Sequence, residues 1–387
     1  MKYVGIDLHK QTISGCVVIK ERGRKKVVAR KRLECRNEAG IAAWFSELGK
    51  FEVVVEATAS YEWFVQLVEP LARRVLLAHP KKLRIIAESK RKTDKLDAQV
   101  LAEFLADDAI PRAYRPTPRV REHRTLVRHR HYTQRRITSV KNKLRHVLAA
   151  YNADVPHLFT ADGRAHLAAV KLSAAHRFVA QHLAGELEQH QERLAQADLE
   201  LRRFAAKAPL AEREARAVLD SIPNVGPVTI DVVLAELGDW RRFRSQADVV
   251  CYAGLAPGFR ESAGKAKQLG ITKEGSRLLR WAMIELAWRM VGSSRKWGRH
   301  YTRLEARIGA KKAIVAIARR LLTVIFSLLR TGQKYNLALE APPASCRSNS
   351  PRDTHPSERA RLRGQPRRTR SLGAGVDYDV PLSVPGK

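Results

Sequence analysis

The sequence predicts a mixed α/β region at the N-terminus followed by an all-α remainder. Three observations carry this expectation. Residues 2–34 read as three short apolar strands, after which strand and helix patterns alternate to about residue 105. Two long helical patterns follow at 119–150 and 174–206, set off by prolines. Beyond Pro209 the apolar spacing stays helical to about residue 330.

The first strand, Lys2–Leu8, carries Asp7 near its end. Strands at 12–19 and 26–34 flank a turn at Glu21-Arg22-Gly23-Arg24. Asn37 is suited to cap a helix through Leu48. Phe51–Glu56 is apolar except for Glu52 and its terminal acid, the pattern of a central strand buried on both faces. A helix over Tyr61–Val68 is stopped by Pro70, and a strand follows at Arg74–Ala78. Pro80 opens a basic stretch, 81–92, ahead of a helix over 94–105 whose apolar stripe runs through Leu96, Val100, Leu101 and Phe104 or Leu105. This order matches the RNase H-like fold, and other α/β domains share it.

Pro111, Pro116 and Pro118 mark a boundary. Between Arg119 and Arg145 the next helix has ten Lys or Arg against one acid, Glu122, while Ile137, Val140, Leu144, Val147 and Leu148 form an apolar face. Charge runs are commonly solvated faces. So one-sided a run also calls for a polyanion to offset its self-repulsion, which makes Arg128, Arg135, Arg136, Lys141 and Lys143 candidate phosphate contacts. Residues 156–163 read as a loop. In the helix over 174–206, Leu183, Leu187, His190, Leu194, Ala197, Leu201 and Phe204 keep a heptad seam, so a coiled coil is expected, within the chain or between two chains. His190 reads as a tolerated polar residue on that seam.

Residues 221–229, Ser-Ile-Pro-Asn-Val-Gly-Pro-Val-Thr, resemble a helix-hairpin-helix turn, with Gly226 ahead of a helix N-terminus that offers N–H groups to phosphate. A plain tight turn between packed helices is the alternative. Phe259 to Lys267 reads as a flexible polar loop containing Ser262, Arg260, Lys265 and Lys267. Helices are expected at 276–291, with Ser276 as its cap, and at 310–329, with Gly332 as its stop. From about residue 336 the chain is rich in Pro, Arg and Ser and reads as a disordered basic tail.

The net charge is +33, with 72 Lys and Arg against 39 Asp and Glu, which points first to a nucleic-acid backbone. The rival is an anionic membrane surface; the longest apolar run near the C-terminus, 313–329, is broken by Arg319-Arg320, so no segment is expected to span a bilayer and no membrane partner is expected. The four cysteines lack metal or disulfide spacing and fit a reducing cytoplasm.

Four acids on three separated elements form the chemical signal: Asp7, Glu56, and Asp94 with Asp97. Both strand-end acids fall at one sheet edge, and the i, i+3 pair shares a helix face. Such a set of hard oxygen donors suits a pair of Mg²⁺ ions, or Mn²⁺. Singly, each acid reads as a turn or helix cap. The Gly-Ile-Asp opening also occurs in actin-like sugar kinases, but Leu8-His9-Lys10 lacks the small residues and hydroxyl that would cradle ATP phosphates. Ser262, between small residues and near Arg260, Lys265 and Lys267, has the access and the cations that a nucleophile at a phosphodiester needs. A solvated hydroxyl is the plain reading.

Taken together, these motifs resemble the DEDD-type insertion-sequence transposases, described as bridge-RNA-guided serine recombinases. Gly5-Ile6-Asp7-Leu8-His9-Lys10, Val55-Glu56-Ala57-Thr58 and Lys92-Thr93-Asp94-Lys95-Leu96-Asp97-Ala98 are similar to the family's RuvC-like N-terminal domain. Ile222-Pro223-Asn224-Val225-Gly226-Pro227, Tyr252-Ala253-Gly254-Leu255-Ala256-Pro257 and Gly270-Ile271-Thr272-Lys273-Glu274-Gly275 are similar to its C-terminal transposase domain. The resemblance implies an acidic tetrad of Asp7, Glu56, Asp94 and Asp97 and covalent attachment of DNA to Ser262. The family loop usually reads Ser-Gly, whereas this chain has Ser262-Ala263-Gly264. Further implications are a non-coding guide RNA encoded by the element and assembly as homodimers or homotetramers. The expected layout is an RNase H-like domain at 1–115, a basic and coiled-coil region at 116–208, a transposase domain at 209–335 and the tail at 336–387. Alternatives are a metal-dependent, structure-selective nuclease of the junction-resolving kind, or a non-catalytic nucleic-acid-binding protein.

Overall fold

A computed structural model describes residues 1–58, 60–87, 94–262 and 265–336, with side chains for all of these except 84–87, 94–97, 259–262 and 265–269. Met1–Tyr335 forms one compact unit. The basic tail expected from 336 onward lies, apart from Asn336, outside the described residues.

The N-terminal region is mixed α/β and the rest is mostly helical, as the sequence predicts. Strands β1 (Lys2–Leu8), β2 (Thr12–Glu21) and β3 (Arg24–Glu34) form an antiparallel meander, and β4 (Phe51–Glu56) and β5 (Arg74–Ala78) add in parallel beside β1. The sheet order is β3-β2-β1-β4-β5. β2 and β3 run up to a two-residue turn in which Arg22 and Gly23 have φ of 47° and 78°, the left-handed pair that matches the twist of a hairpin. Helices α1 (Glu38–Glu47), capped by Asn37, and α2 (Tyr61–Val68) cover one face, burying Phe45 and Phe64 against Val4, Ile6, Val53 and Val55. The start of the expected basic stretch is itself a helix, α3 (Pro80–Ala87).

Helix α4 (Asp94–Ala106) lies on the other face, directly over Gly5. A Cβ at Gly5 would stand 2.0 Å from the Ala98 carbonyl oxygen and 2.4 Å from the Ala102 nitrogen. Both neighbours are helix backbone, which cannot rotate away. Cys16, Val18, Val54, Ala98, Leu101, Ala102 and Leu105 fill the remaining space beneath α4.

Helix α5 (Pro118–Ala149) is capped by Thr117, and α7 (Ala174–Ala206) by Ser173. Ile137, Val140, Leu144 and Leu148 of α5 pack on Ala180, Leu183 and Leu187 of α7. The α7 seam is therefore buried against α5 of the same chain. His190 sits on it, 3.3 Å from Glu186, which pairs with Arg136 at 2.9 Å. The region read as a loop to residue 163 instead starts α6 (Ala161–Ala169), capped by Thr160. Its Ala-Asp-Gly-Arg opening lacks an apolar stripe, so periodicity could not reveal it.

The helical core beyond joins α8 (Leu210–Asp220), α9 (Pro227–Leu237), α10 (Gln246–Tyr252), α11 (Arg277–Ser293), α12 (Arg295–Ile308) and α13 (Ala310–Thr331). Residues 229–237 of α9 are all buried. Ser276 caps α11 and Gly332, at φ 69°, ends α13, as expected. Two expectations are corrected. The flexible polar loop is a β-hairpin of β6 (Pro257–Ser262) and β7 (Lys265–Ile271), so the remainder is not purely α. Cross-strand backbone hydrogen bonds hold such a ribbon whatever its side chains, so polar composition was a poor guide. Helix α12 was also missed: its apolar positions Trp297, Tyr301 and Leu304 are sparse among charges, although they share one face.

The Gly5 contact generates a prediction. Gly5→Ala should lower the stability of the full chain by about 3 kcal/mol, because overpacking here meets backbone. A thermal unfolding midpoint equal to wild type would contradict the close approach.

Candidate active site

Parallel pairing puts Lys2 of β1 opposite Phe51 of β4 and Ile6 opposite Val55. One step further along the same register, Asp7 and Glu56 stand at one edge of adjacent strands. Alternation along a strand puts Asp7 on the face of Gly5, and Glu56 on the face of Val54. That is the face α4 covers. Asp94 opens α4, and Asp97 immediately precedes Ala98, the residue whose carbonyl lies over Gly5. The backbone thus brings all four expected acids to one end of one sheet face. The side chains of Asp94 and Asp97 lie outside the described residues. Among the described residues, no group of three or more His, Cys, Asp and Glu is gathered to hold a metal.

Sequence reasoning gave no role to His9 or Ser14, which share this edge. His9 Nε2 lies 3.0 Å from Asp7 Oδ2, which is itself buried, while the Asp7 side chain as a whole is 20% exposed. Ser14 of β2 is the register partner of Asp7. The i, i+2 spacing of Asp7 and His9 was visible, but only strand geometry shows that the two side chains meet.

Ser262 is the last residue of β6, opposite Lys265, with Arg260 opposite Lys267. Side chains at this end are outside the described residues, but the base of the hairpin is well defined. Backbone N–H groups of Thr272, Lys273 and Ser276 donate to the carbonyls of Ala256, Gly254 and Tyr252 at 2.9, 3.1 and 3.1 Å. Arg280 Nη1 donates to the Ala253 carbonyl at 2.9 Å. The chain at Gly254 turns through φ 66° with a virtual Cβ 2.1 Å from the Glu274 carbonyl, so glycine is required there. The motifs at 252–257 and 270–275 therefore interlock as the foot of the ribbon that carries Ser262. Lys81 of α3 pairs with Glu274 beside this foot. Both partners are largely exposed, so the pair adds little stability.

Behind the foot lies a buried acid that the sequence did not single out. Glu236, 1% exposed, is gripped by Arg128 of α5, Nε to Oε1 at 2.9 Å and Nη2 to Oε2 at 3.0 Å. Ser276 Oγ donates to Oε2 at 3.0 Å. Arg124 Nε and Nη2 donate to the carbonyls of Ala235 and Glu236 at 2.8 and 3.0 Å, and Tyr252 Oη donates to the latter at 2.9 Å. Burial works against the charge of Glu236, but Arg128, Ser276 and Arg124 outweigh it and hold the carboxyl below its ordinary value. A second buried acid, Asp231, receives His123 at 3.0 Å and Arg216 at 2.7 Å.

Among the expected phosphate contacts, Arg128 and Arg136 hold the internal acids Glu236 and Glu186, and Lys141 Nζ lies 4.8 Å from the centre of the Phe159 ring. Arg135 and Lys143 are exposed on α5. Gly226 caps α9 at φ −92°, and a Cβ there would meet open space. Arg260, Lys265 and Lys267 are on the hairpin. No helix among the described residues is long and apolar enough to cross a membrane.

Two family models match the chain. One, described as a transposase and named for the DEDD type of IS110, covers residues 4–153. The other, described as transposase IS116/IS110/IS902 family, covers residues 216–303. A transposase for insertion sequence element IS1111A from Coxiella burnetii is 24% identical over 87% of this chain and 91% of its own length. A pilin gene-inverting protein from Moraxella bovis is 23% identical over 86% and 97%. A transposase for insertion sequence element IS1328 from Yersinia enterocolitica is 26% identical over 61% and 69%. The fold and these matches make the chain an enzyme of DNA transposition and recombination. More narrowly, it belongs to the IS110 family of insertion-sequence transposases, with the matched stretches in both of its regions.

The Glu236 network carries its own prediction. Because the folded carboxyl titrates below its unfolded value, the ionised pair stabilises the fold at neutral pH, and this contribution is lost as pH falls below the ordinary glutamate range. Glu236→Gln should lower stability at pH 7 by about 2 kcal/mol, less than for a fully buried pair because the Arg128 side chain is 58% exposed and can rehydrate. It should also flatten the acid limb of the stability profile. An acid limb as steep as wild type in urea titrations would contradict the assignment.

Proposed function

We propose that this transposase cuts and exchanges DNA strands with two cooperating parts, an acidic metal site at the sheet edge and a nucleophilic serine on the hairpin. The observation that carries this reading is the β1–β4 register, which sets Asp7 and Glu56 side by side on the face where α4 begins at Asp94. An RNase H-like N-terminal domain at 1–115 is supported by the sheet order, with three antiparallel strands followed by two parallel additions. The helix-hairpin-helix reading of 221–229 is supported by the short turn between α8 and α9. The coiled-coil region at 116–208 and the transposase domain at 209–335 complete the proposed layout.

A donor set made only of carboxylate oxygens fits Mg²⁺, or Mn²⁺, and Asp7, Glu56, Asp94 and Asp97 would hold it. When bound, such ions lower the barrier for an attacking oxygen and stabilise a leaving one. The chain's own residues do the rest. His9 orients Asp7. The Ser262 oxygen bonds to phosphorus as the bond from phosphorus to a deoxyribose oxygen breaks; the serine proton is given up, and the leaving oxygen gains a proton. DNA is then held as a phosphoserine ester, which conserves the bond for rejoining. The hydroxyl of another strand attacks the same phosphorus and returns the serine. Arg260, Lys265 and Lys267 would counter the charge that grows on the phosphate oxygens. Arg135 and Lys143, exposed on α5, and the N-terminus of α9 at Gly226 would hold the flanking backbone. Sequence choice would be delegated to a guide RNA, and assembly as a homodimer or homotetramer would join acid edge and serine from different subunits. The relative named for pilin gene inversion supports rearrangement rather than simple cleavage.

Two substitutions test this. Ser262→Ala should abolish both the covalent protein–DNA adduct, scored on denaturing gels, and recombination. Cleavage that persists without recombination would instead identify a nuclease. Asp7→Asn should abolish Mg²⁺-dependent chemistry with DNA affinity retained, and unimpaired activity would leave the acids a purely structural role.

A further inference from the structure

The cations of α5 and those of α12 have different surroundings. On α5, Arg119, Arg128, Arg130, Arg136 and Arg145 each pair with a carboxylate elsewhere in the fold. Helix α12 offers the reverse. Its single acid, Glu305, accepts a hydrogen bond from Tyr301 Oη at 3.0 Å. Among the described residues, no ion pair holds Arg299, Arg303 or Arg307, all exposed. These three follow one another at i, i+4 spacing, steps of about 6 Å along a rigid helix. Helix α13, which turns back at Gly309, carries no acid at all and adds Lys312 and Arg320, both exposed. Arg320 hydrogen-bonds His300 of α12, so the two rows of cations meet on one side of the helical hairpin. Burial, then Arg320, Arg303 and Lys296, push the His300 imidazole below its usual value, which shows how closely the charges crowd.

We infer that the α12–α13 hairpin is a docking surface for the backbone of double-stranded DNA. Two antiparallel rows of cations on helices about 8–10 Å apart match two phosphate rows flanking a groove. A single strand would be gripped instead by exposed rings on which its bases could stack. The rings beside α12 form no such row: Trp297 is buried, Tyr301 is half-buried and bonded to Glu305, and Trp288 of α11, against which Tyr301 packs, is a single ring 39% exposed. Mutual repulsion along the Arg299–Arg303–Arg307 row is relieved when phosphates approach and counterions are released. The surface lies on elements other than the acidic edge and the serine hairpin, and only the choice of DNA rests on the function proposed above.

The test uses the full chain and three labelled probes of equal length: a DNA duplex, a DNA single strand and an RNA hairpin. Anisotropy is measured across a salt series. The variant R299Q/R303Q/R307Q should lose about tenfold in duplex affinity near physiological salt, and its salt slope should fall by about 2 to 3, at roughly 0.9 per phosphate contact. Its affinity for the other two probes should stay as in wild type. R299K/R303K/R307K, which keeps the charge, should retain duplex binding even if the glutamine variant is destabilised. Unchanged duplex binding in the glutamine variant, loss confined to RNA, or loss in the lysine variant would each overturn the assignment. A wild-type chain that binds no duplex would sink the function proposed above, whereas normal wild-type binding with unaffected variants sinks only this surface.

Discussion

Glu236 is the contact on which the architecture turns. A carboxylate with 1% exposure is costly unless its oxygens are satisfied, and here the partners come from three directions. Arg128 reaches from α5, Ser276 from the cap of α11, and Arg124 and Tyr252 take the adjacent carbonyl. One acid therefore ties the long helix to the core of the helical region and to the foot of the β6–β7 ribbon. A shift of α5 would be transmitted to that foot through hydrogen bonds whose directionality tolerates little sliding.

Gly5 plays the corresponding part in the mixed α/β region. With no side chain at that position, α4 approaches until its backbone touches β1, and its first turn reaches the edge where Asp7 and Glu56 end their strands. Close approach at Gly5 and parallel register between β1 and β4 are two independent constraints with one result: acids distant in sequence are collected at one place.

The charge of the chain divides by role. On α5 much of it is structural, paired with Glu212, Glu236, Asp198, Glu186 and Asp154. On α12, by contrast, no ion pair holds Arg299, Arg303 or Arg307 among the described residues. A sequence can count cations, but only packing reveals which of them already have an anion.

Although α3 stayed hidden in its basic stretch, the sequence by itself determined the strand and helix order to residue 78, the helix that follows at 94–106, the two long helices, the caps at Asn37 and Ser276 and the stop at Gly332, because these depend on neighbours within a few residues. It also marked the acids and Ser262 as unusual in their settings. It could not reveal α6, whose short helix lacks a stripe, nor the ribbon at 257–271, whose strands are held by backbone groups that carry no residue identity. His9 beside Asp7 and the Glu236 network were equally hidden, since each joins groups by direction in space. Tertiary structure alone decided that the α7 seam is buried on α5 of the same chain, because a heptad pattern specifies a partner's shape and not its identity.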